Sequence, residues 1–422
     1  MIQPLKAPKN NWFLYWVDLQ EPVPSGADWM LPTLVIVCDQ SGTPVAPPEV
    51  LEELDQARVE NYLYKIFDGA GQPDRLSIAT SDEWDPEAWQ AFSADCKLDI
   101  RFQTPTGRSP DDLQALTQTL VMRVPREGEG PAQNLEIAAG LARTAQRVRS
   151  PSKKLAVLKL AIEKDPDCAV ARIELADIEF QSGNWKSCLA AYDEVIAREA
   201  PKWTGGGREW WIDRATRPYL RSIYGKAMTQ WHLGRYTSSA RTLEELLTLN
   251  PLDNQGTRFL IPMLHLLAES PERAATAFQR YAERFVDDYS EPSFLFGWAL
   301  SYSLEGREQE ARAKYLEGCL RNIYIAPMLL EQEEPPKSLW MPNDRAEPAY
   351  ASDFIESYAV LWDREAGALR LLRELHGELQ PRVEQIVSHR ALMADFQDQR
   401  YDPDYKKTWQ ELVAEDERLI RP

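Results

Sequence analysis

Nine basic residues face five acids between positions 201 and 260, in a chain whose formal charge is −18. Arg217, Arg221, Tyr224 and Trp231 recur there at helical spacing, and Gln255 and Arg258 follow after a proline stop. A period of about 3.6 residues gathers such positions on one face. Guanidinium forms paired hydrogen bonds with carboxylate, and aromatic rings add flat apolar surface. The set therefore suits an acidic or carboxylate-terminated peptide. The competing expectation pairs Arg217, Arg221 and Arg258 with acids of neighbouring helices and places Trp231 in the core.

Other residues invite chemistry less strongly. Asp18 and Asp39 end two hydrophobic stretches, and a pair of carboxylates at strand ends can hold a divalent metal for phosphodiester hydrolysis. Asp39-Gln40-Ser41-Gly42 also reads as an ordinary turn. The run TGGGREWWIDR (204–214) offers consecutive glycines, but it lacks the Gly-Lys-Ser/Thr ending of a nucleotide phosphate loop. It reads better as a hinge anchored by Trp210 and Trp211. Asp253 or Asn254 is placed to cap the helix that follows Pro251. Neither a Gly-x-Ser-x-Gly elbow nor a His-Glu-x-x-His pair occurs, so no catalytic residue is assigned. The five cysteines are dispersed and the histidines number four, so no metal site and no cofactor are expected.

The elements that would position these residues fall into two textures. FLYWVDL (13–19), TLVIVCD (33–39), RLSIAT (75–80) and KLDIRFQ (97–103) read as strands. VLEELDQARVENYLYKIF (50–67), DPEAWQAFSAD (85–95) and DDLQALTQTL (111–120) read as helices between or after them. Strands alternating with helices predict a small α/β domain over 1–125 with a partly parallel sheet. Residues 126–149 then form a linker and an entry helix.

From 150 to 375 the texture is helical. Prolines at 166, 201 and 251 punctuate helix pairs, with an insertion at 201–217 in one connection. Gly183, Gly234 and Gly306 stand where turns are needed, and Ala176, Ala227 and Ala299 where helices must approach closely. Units of about 34 residues with this pattern are tetratricopeptide repeats, which stack into a solenoid with a concave binding face. On that scheme Arg221, Tyr224, Met228, Trp231 and His232 point inward from one unit, and Gln255, Arg258 and His265 from the next. A charged helical region, 376–422, closes the chain. The fold class is thus α+β, mostly α.

The phrases TRPYLR (216–221), LGR (233–235), LNPLDNQGTRF (249–259) and the late order AP…PP…AYA at 326–351 resemble the suppression-of-tumorigenicity-seven family of tetratricopeptide-like proteins. They are also similar to bacterial proteins that carry this solenoid behind a small α/β domain of unassigned function. The resemblance covers roughly 150–375 and implies a solenoid fold and a binding role, but no reaction. Membrane segments of the animal members have no counterpart here, nor does the Cys/His-rich tail of some bacterial relatives.

Composition agrees with a soluble protein, at 44% hydrophobic and 27% charged residues. The acidic balance disfavours nucleic acid and anionic membrane as partners, and the cysteine usage suits a reducing, cytoplasmic location. The expectation is a non-enzymatic scaffold or adaptor that binds a peptide or protein partner in the concave face. The alternative is a metal-dependent nuclease with a ribonuclease-H-like N-terminal domain, targeted by the solenoid.

Overall fold

The computed structural model describes residues 10–19, 22–25, 28–81, 83–103, 131–203, 210–285, 290–337, 340–397 and 404–422. The helix expected at 111–120, the start of the linker at 126 and the glycines of the insertion lie outside them. The chain divides into two compact units, residues 1–183 with 197–199, and residues 184–196 with 200–422.

The first unit opens with strand β1 (Asn11–Asp18), a short ribbon of β2 (Val23–Ser25) and β3 (Asp28–Met30), then β4 (Thr33–Cys38) and β5 (Glu49–Leu51). Helix α1 (Gln56–Ala70), β6 (Arg75–Ala79), α2 (Pro86–Cys96) and β7 (Asp99–Gln103) follow. The main sheet runs β5-β4-β1-β6-β7. In it β4 is antiparallel to both of its neighbours, β5 and β1, while β1, β6 and β7 are parallel. The helix expected from residue 50 starts later, because Glu49–Leu51 pairs with β4 and Asp55 supplies the cap. The Asp55 carboxylate accepts from the Arg58 backbone N at 2.9 Å. Asp85 caps α2 in the same way, with Pro86 in the first turn. Leu14, Val35, Val37, Leu63, Leu76, Ile78 and Trp89 form the buried centre.

Helices α3 (Pro131–Ala145), α4 (Pro151–Lys164) and α5 (Ala169–Gln181) complete this unit. The β2–β3 ribbon, which the sequence reading missed, packs on α3. Gly140 permits this: an added Cβ would meet the Trp29 backbone N at 2.8 Å. Thr144 donates to the Trp29 carbonyl at 2.8 Å, and Asp28 accepts from Arg143 at 2.6 Å and Arg147 at 3.2 Å. The boundary expected at 125 is therefore crossed by contacts that tie the sheet domain to the first solenoid helices.

The second unit takes in the first part of α6 (Trp185–Glu199), then α7 (Arg217–His232), α8 (Tyr236–Leu249), α9 (Thr257–Leu267), α10 (Pro271–Arg284), α11 (Pro292–Leu304) and α12 (Glu308–Arg321). The chain continues through α13 (Ile325–Leu329), α14 (Pro348–Tyr358), α15 (Val360–Asp363), the long α16 (Ala366–Gln397) and α17 (Tyr405–Leu419). All strands among the described residues precede residue 104, as the helical texture of 150–375 predicts.

Three hairpins in this unit share one stop signal. The backbone N of Arg235, Ser270 and Arg307 each returns to the carbonyl five residues earlier, at 2.8 to 2.9 Å. The preceding residue takes the left-handed conformation: Gly234 at φ 70°, Gly306 at φ 74° and Glu269 at φ 57°. Ala227 and Ala299 are fully buried, and Ser239 donates to the Ala227 carbonyl at 2.7 Å where α7 crosses α8. A Cβ on Gly225 would enter the Tyr192 ring, and one on Gly297 would strike Met263 and Phe278. Residues of the expected small and large types thus set how closely successive helices approach.

Candidate interaction face

Helix α7 carries four of the residues singled out in the sequence. Arg217 opens it, donating from Nε to the Trp211 carbonyl at 3.2 Å with its guanidinium 5.0 Å from the Trp211 ring centre. The end of the insertion is anchored as expected. Asp213 accepts from the Ala215 backbone N at 3.0 Å, Thr216 donates to the Trp210 carbonyl, and the Trp210 ring lies 5.9 Å from Tyr219. Arg221, one turn beyond Arg217, is exposed.

The other members turn into the unit. Tyr224 is half-buried; burial, and then the Asp253 carboxylate, raises its hydroxyl above the ordinary tyrosine value. Trp231 stacks on Tyr358 of α14 at 5.6 Å and 23°. The chain thus lays one of its own later helices against an inward position of the predicted groove. His232 stacks on Trp185 at 4.3 Å, nearly parallel.

Arg258 has an internal role. Its guanidinium donates to Asp253 at 2.8 Å, with 12% and 1% of the two side chains exposed. Phe259 and Phe285 flank it at 4.3 and 4.7 Å. Asp253 also accepts from the Thr257 backbone N, the Thr257 hydroxyl and the Arg258 backbone N at 2.7 to 2.9 Å. This carboxylate caps α9, and Arg258 holds it in place. Gln255, between them, keeps a buried Oε1 with no hydrogen-bond partner among the described residues. The structure therefore places Arg217 and Arg221 on an exposed stretch of α7, and Tyr224, Trp231, Gln255 and Arg258 at partly covered positions.

The acid pair of the first unit is taken apart by register. Asp18 pairs with Thr33, whereas the ladder reaches Cys38 opposite Phe13, so Asp39 lies beyond the other end of the same antiparallel pair. At about 3.3 Å per residue the two carboxylates stand well over 10 Å apart. Asp39 serves its turn, accepting from Ser41 and Thr43 backbone N at 2.8 and 3.0 Å. Hydrogen bonds from Ser41 and Thr43 hold its carboxyl below the usual range. A sheet by itself assigns no reaction, and here it does not bring the two acids together. Among the described residues no group of three His, Cys, Asp or Glu side chains is placed to hold a metal ion.

What Asp18 does instead is bind Lys153, 3.2 Å away, with Thr33 as the second partner of the ammonium. The Lys153 side chain is 6% exposed, and burial pushes its pKa down against the pull of Asp18. The two residues border a cleft of about 380 Å³ with Trp16, Thr80, Ser81 and Ser152. Lys153 was missed, although a signal existed. A lysine in the first turn opposes the helix dipole, which calls for an acid from elsewhere.

No family model and no curated protein matches the chain. Solved structures similar to it include MamA from Desulfovibrio magneticus, at 14% identity over 44% of this chain and 93% of that one, with a TM-score of 0.35. A second is YrrB, described as a TPR protein with an unusual peptide-binding site, at 14% identity, 49% and 91% coverage and a TM-score of 0.34. A third is TTC0263, a thermophilic TPR protein of Thermus thermophilus, at 14% identity, 54% and 100% coverage and a TM-score of 0.29. At these scores the likeness adds nothing to what the helix pairs show by themselves. No helix among the described residues is long and apolar enough to cross a membrane.

Proposed function

We propose that the chain is an interaction scaffold whose helical unit binds a protein or peptide partner, with an acidic or carboxylate-terminated segment lying against α7. The observation that carries this reading is the exposed Arg217–Arg221 pair, one helical turn apart and bordered by Trp211 and Tyr219. Two guanidiniums at that spacing suit carboxylates on an extended segment, and a local positive stretch in an acidic protein steers such a ligand. Tyr224 and Trp231 lie further along α7, and Gln255 precedes α9. Arg258 contributes by fixing α9.

The same reading includes a reducing, cytoplasmic setting, since the five cysteines are dispersed along the sequence and odd in number, a bacterial source, and no nucleic acid or membrane partner. Kinship with the suppression-of-tumorigenicity-seven family rests on the sequence phrases alone. The test is fluorescence anisotropy with acidic peptides bearing free or amidated C-termini. Arg217→Ala and Arg221→Ala should each weaken binding by roughly 1–3 kcal/mol, and affinity should fall as salt passes about 0.15 M. Equal binding by wild type and the double variant would sink the reading.

A further inference from the structure

A small cavity in the second unit has a wall of donors. It measures about 60 Å³, and Arg321, Arg345, Asn343 and Ser290 supply its polar surface, beside two prolines and Ile420. Arg321 ends α12. Its Nε is buried with no hydrogen-bond partner, and no acid pairs with it among the described residues. Arg345 is already matched, its Nε lying 2.6 Å from Glu291, which also accepts from the Tyr350 hydroxyl. Of two guanidinium charges one is compensated, so the described residues leave the cavity one net positive charge.

The arrangement is held from behind. Asn322, fully buried, donates to the carbonyls of Arg345 at 2.7 Å and Glu347 at 3.1 Å. Its Oδ1 accepts from the backbone N of Tyr324 and Ile325 at 2.9 and 3.2 Å. Because Asn322 follows Arg321 directly, one side chain sets the spacing of both arginine-bearing segments. A half-buried guanidinium without a counter-charge is costly unless something fills that role. Among the described residues the lining contains no acid, which turns away cations.

Size narrows the choice further. Each water-sized group needs roughly 15 Å³ of such space, so the cavity takes about four oxygens and leaves no room for a sugar or a nucleotide. The donors come from three separate segments, the entry to α11, the end of α12 and the loop before α14, and so surround a ligand rather than lie in one plane. We propose that this cavity binds a single free tetrahedral oxyanion of phosphate size, held by Arg321 and Arg345 with Asn343 and Ser290 completing the donor set.

Calorimetric titration of the full chain with inorganic phosphate, against chloride at matched ionic strength, tests this. Saturable one-to-one binding is expected, with competition by sulfate and none by acetate. Arg321→Met should weaken it about tenfold or more, the scale of one charge-assisted hydrogen bond. Arg321→Lys should weaken it less, and Lys407→Met, on an exposed helix face, should leave it unchanged. Phosphoserine should bind far more weakly than the free ion. Absence of saturable binding, an unchanged Arg321→Met, equal competition by acetate, or phosphoserine binding as tightly as phosphate would each overturn the proposal. Melts followed by circular dichroism establish that Arg321→Met is folded. If it is not, Arg345→Gln and Asn343→Ala carry the same expectation.

Discussion

The helical hairpins and the mixed sheet treat sequence neighbours in opposite ways. Along α7, residues three to four positions apart stay together, so the Arg217–Arg221 spacing and the Ala227 crossing survive intact into the structure. In the sheet, Asp18 and Asp39 close two adjacent strands and yet point to opposite ends, because antiparallel pairing reverses one of them. The partner Asp18 acquires, Lys153, stands 135 positions away. Local periodicity is therefore a guide to contacts in one unit and misleading in the other, and the two units should respond differently to substitution.

The largest effect is expected in the C-terminal hairpin, where tertiary pairing overrides helical period. Arg390 and Asp416 are 1% and 3% exposed and meet at 3.0 Å between α16 and α17. Asp416→Ala leaves a buried guanidinium without its acid and should cost about 3–5 kcal/mol in urea unfolding. An Arg390→Met/Asp416→Leu double should recover most of that loss. If the single and double variants prove equally unstable, burial of charge is not what governs this contact.

Next come the close helix approaches. Gly225→Val pushes a side chain into Tyr192, and Gly297→Leu into Met263 and Phe278. Each should cost about 1–3 kcal/mol or more through overpacking. Thermal melts would refute this if both variants matched a control such as Gly377→Ala, where an added Cβ meets nothing within 4 Å.

In the sheet unit the expected signature is an asymmetry. Asp18→Ala strands the Lys153 ammonium in a low-dielectric place and should cost roughly 1–3 kcal/mol. Lys153→Met frees a carboxylate that water already reaches, so it should cost less. The reverse order would show that the ammonium is solvated in solution.

The smallest effect concerns pH. Burial holds His265 and His376 below the ordinary imidazole value, despite Glu244 near His265. The unfolded chain then binds more protons than the folded one, so their contribution is present above the unfolded value of about 6.5 and is lost as pH falls below it. Denaturant midpoints should drop between about pH 7.5 and about pH 5.5, and His376→Gln should reduce the drop. A midpoint that rises on acidification would contradict the buried, neutral assignment.

Much of the architecture was legible because its causes are local. Gly183, Gly234 and Gly306 occupy positive-φ turn positions, as expected of residues that lack a Cβ. The strands at 33–38, 75–79 and 99–103 follow from β-branched and aromatic runs. The β2–β3 ribbon escaped notice because Val23–Met30 has no strong periodicity of its own, and it is stabilised by α3. The candidate site was legible in part. Residue types and spacing mark Arg217 and Arg221, but only packing shows Arg258 bracing the Asp253 cap and Tyr358 lying on Trp231.

By itself the sequence determined the order of elements, the hairpin turns and the faces on which apolar residues gather, since each depends on residues within about one helical pair. Tertiary structure alone decided which charges meet. Asp18 with Lys153, Asp28 with Arg143, Glu291 with Arg345 and Arg390 with Asp416 join segments that are distant or separated by loops. The physical reason is that a charge is satisfied by whatever comes within a few ångströms after folding, and sequence separation does not encode that distance.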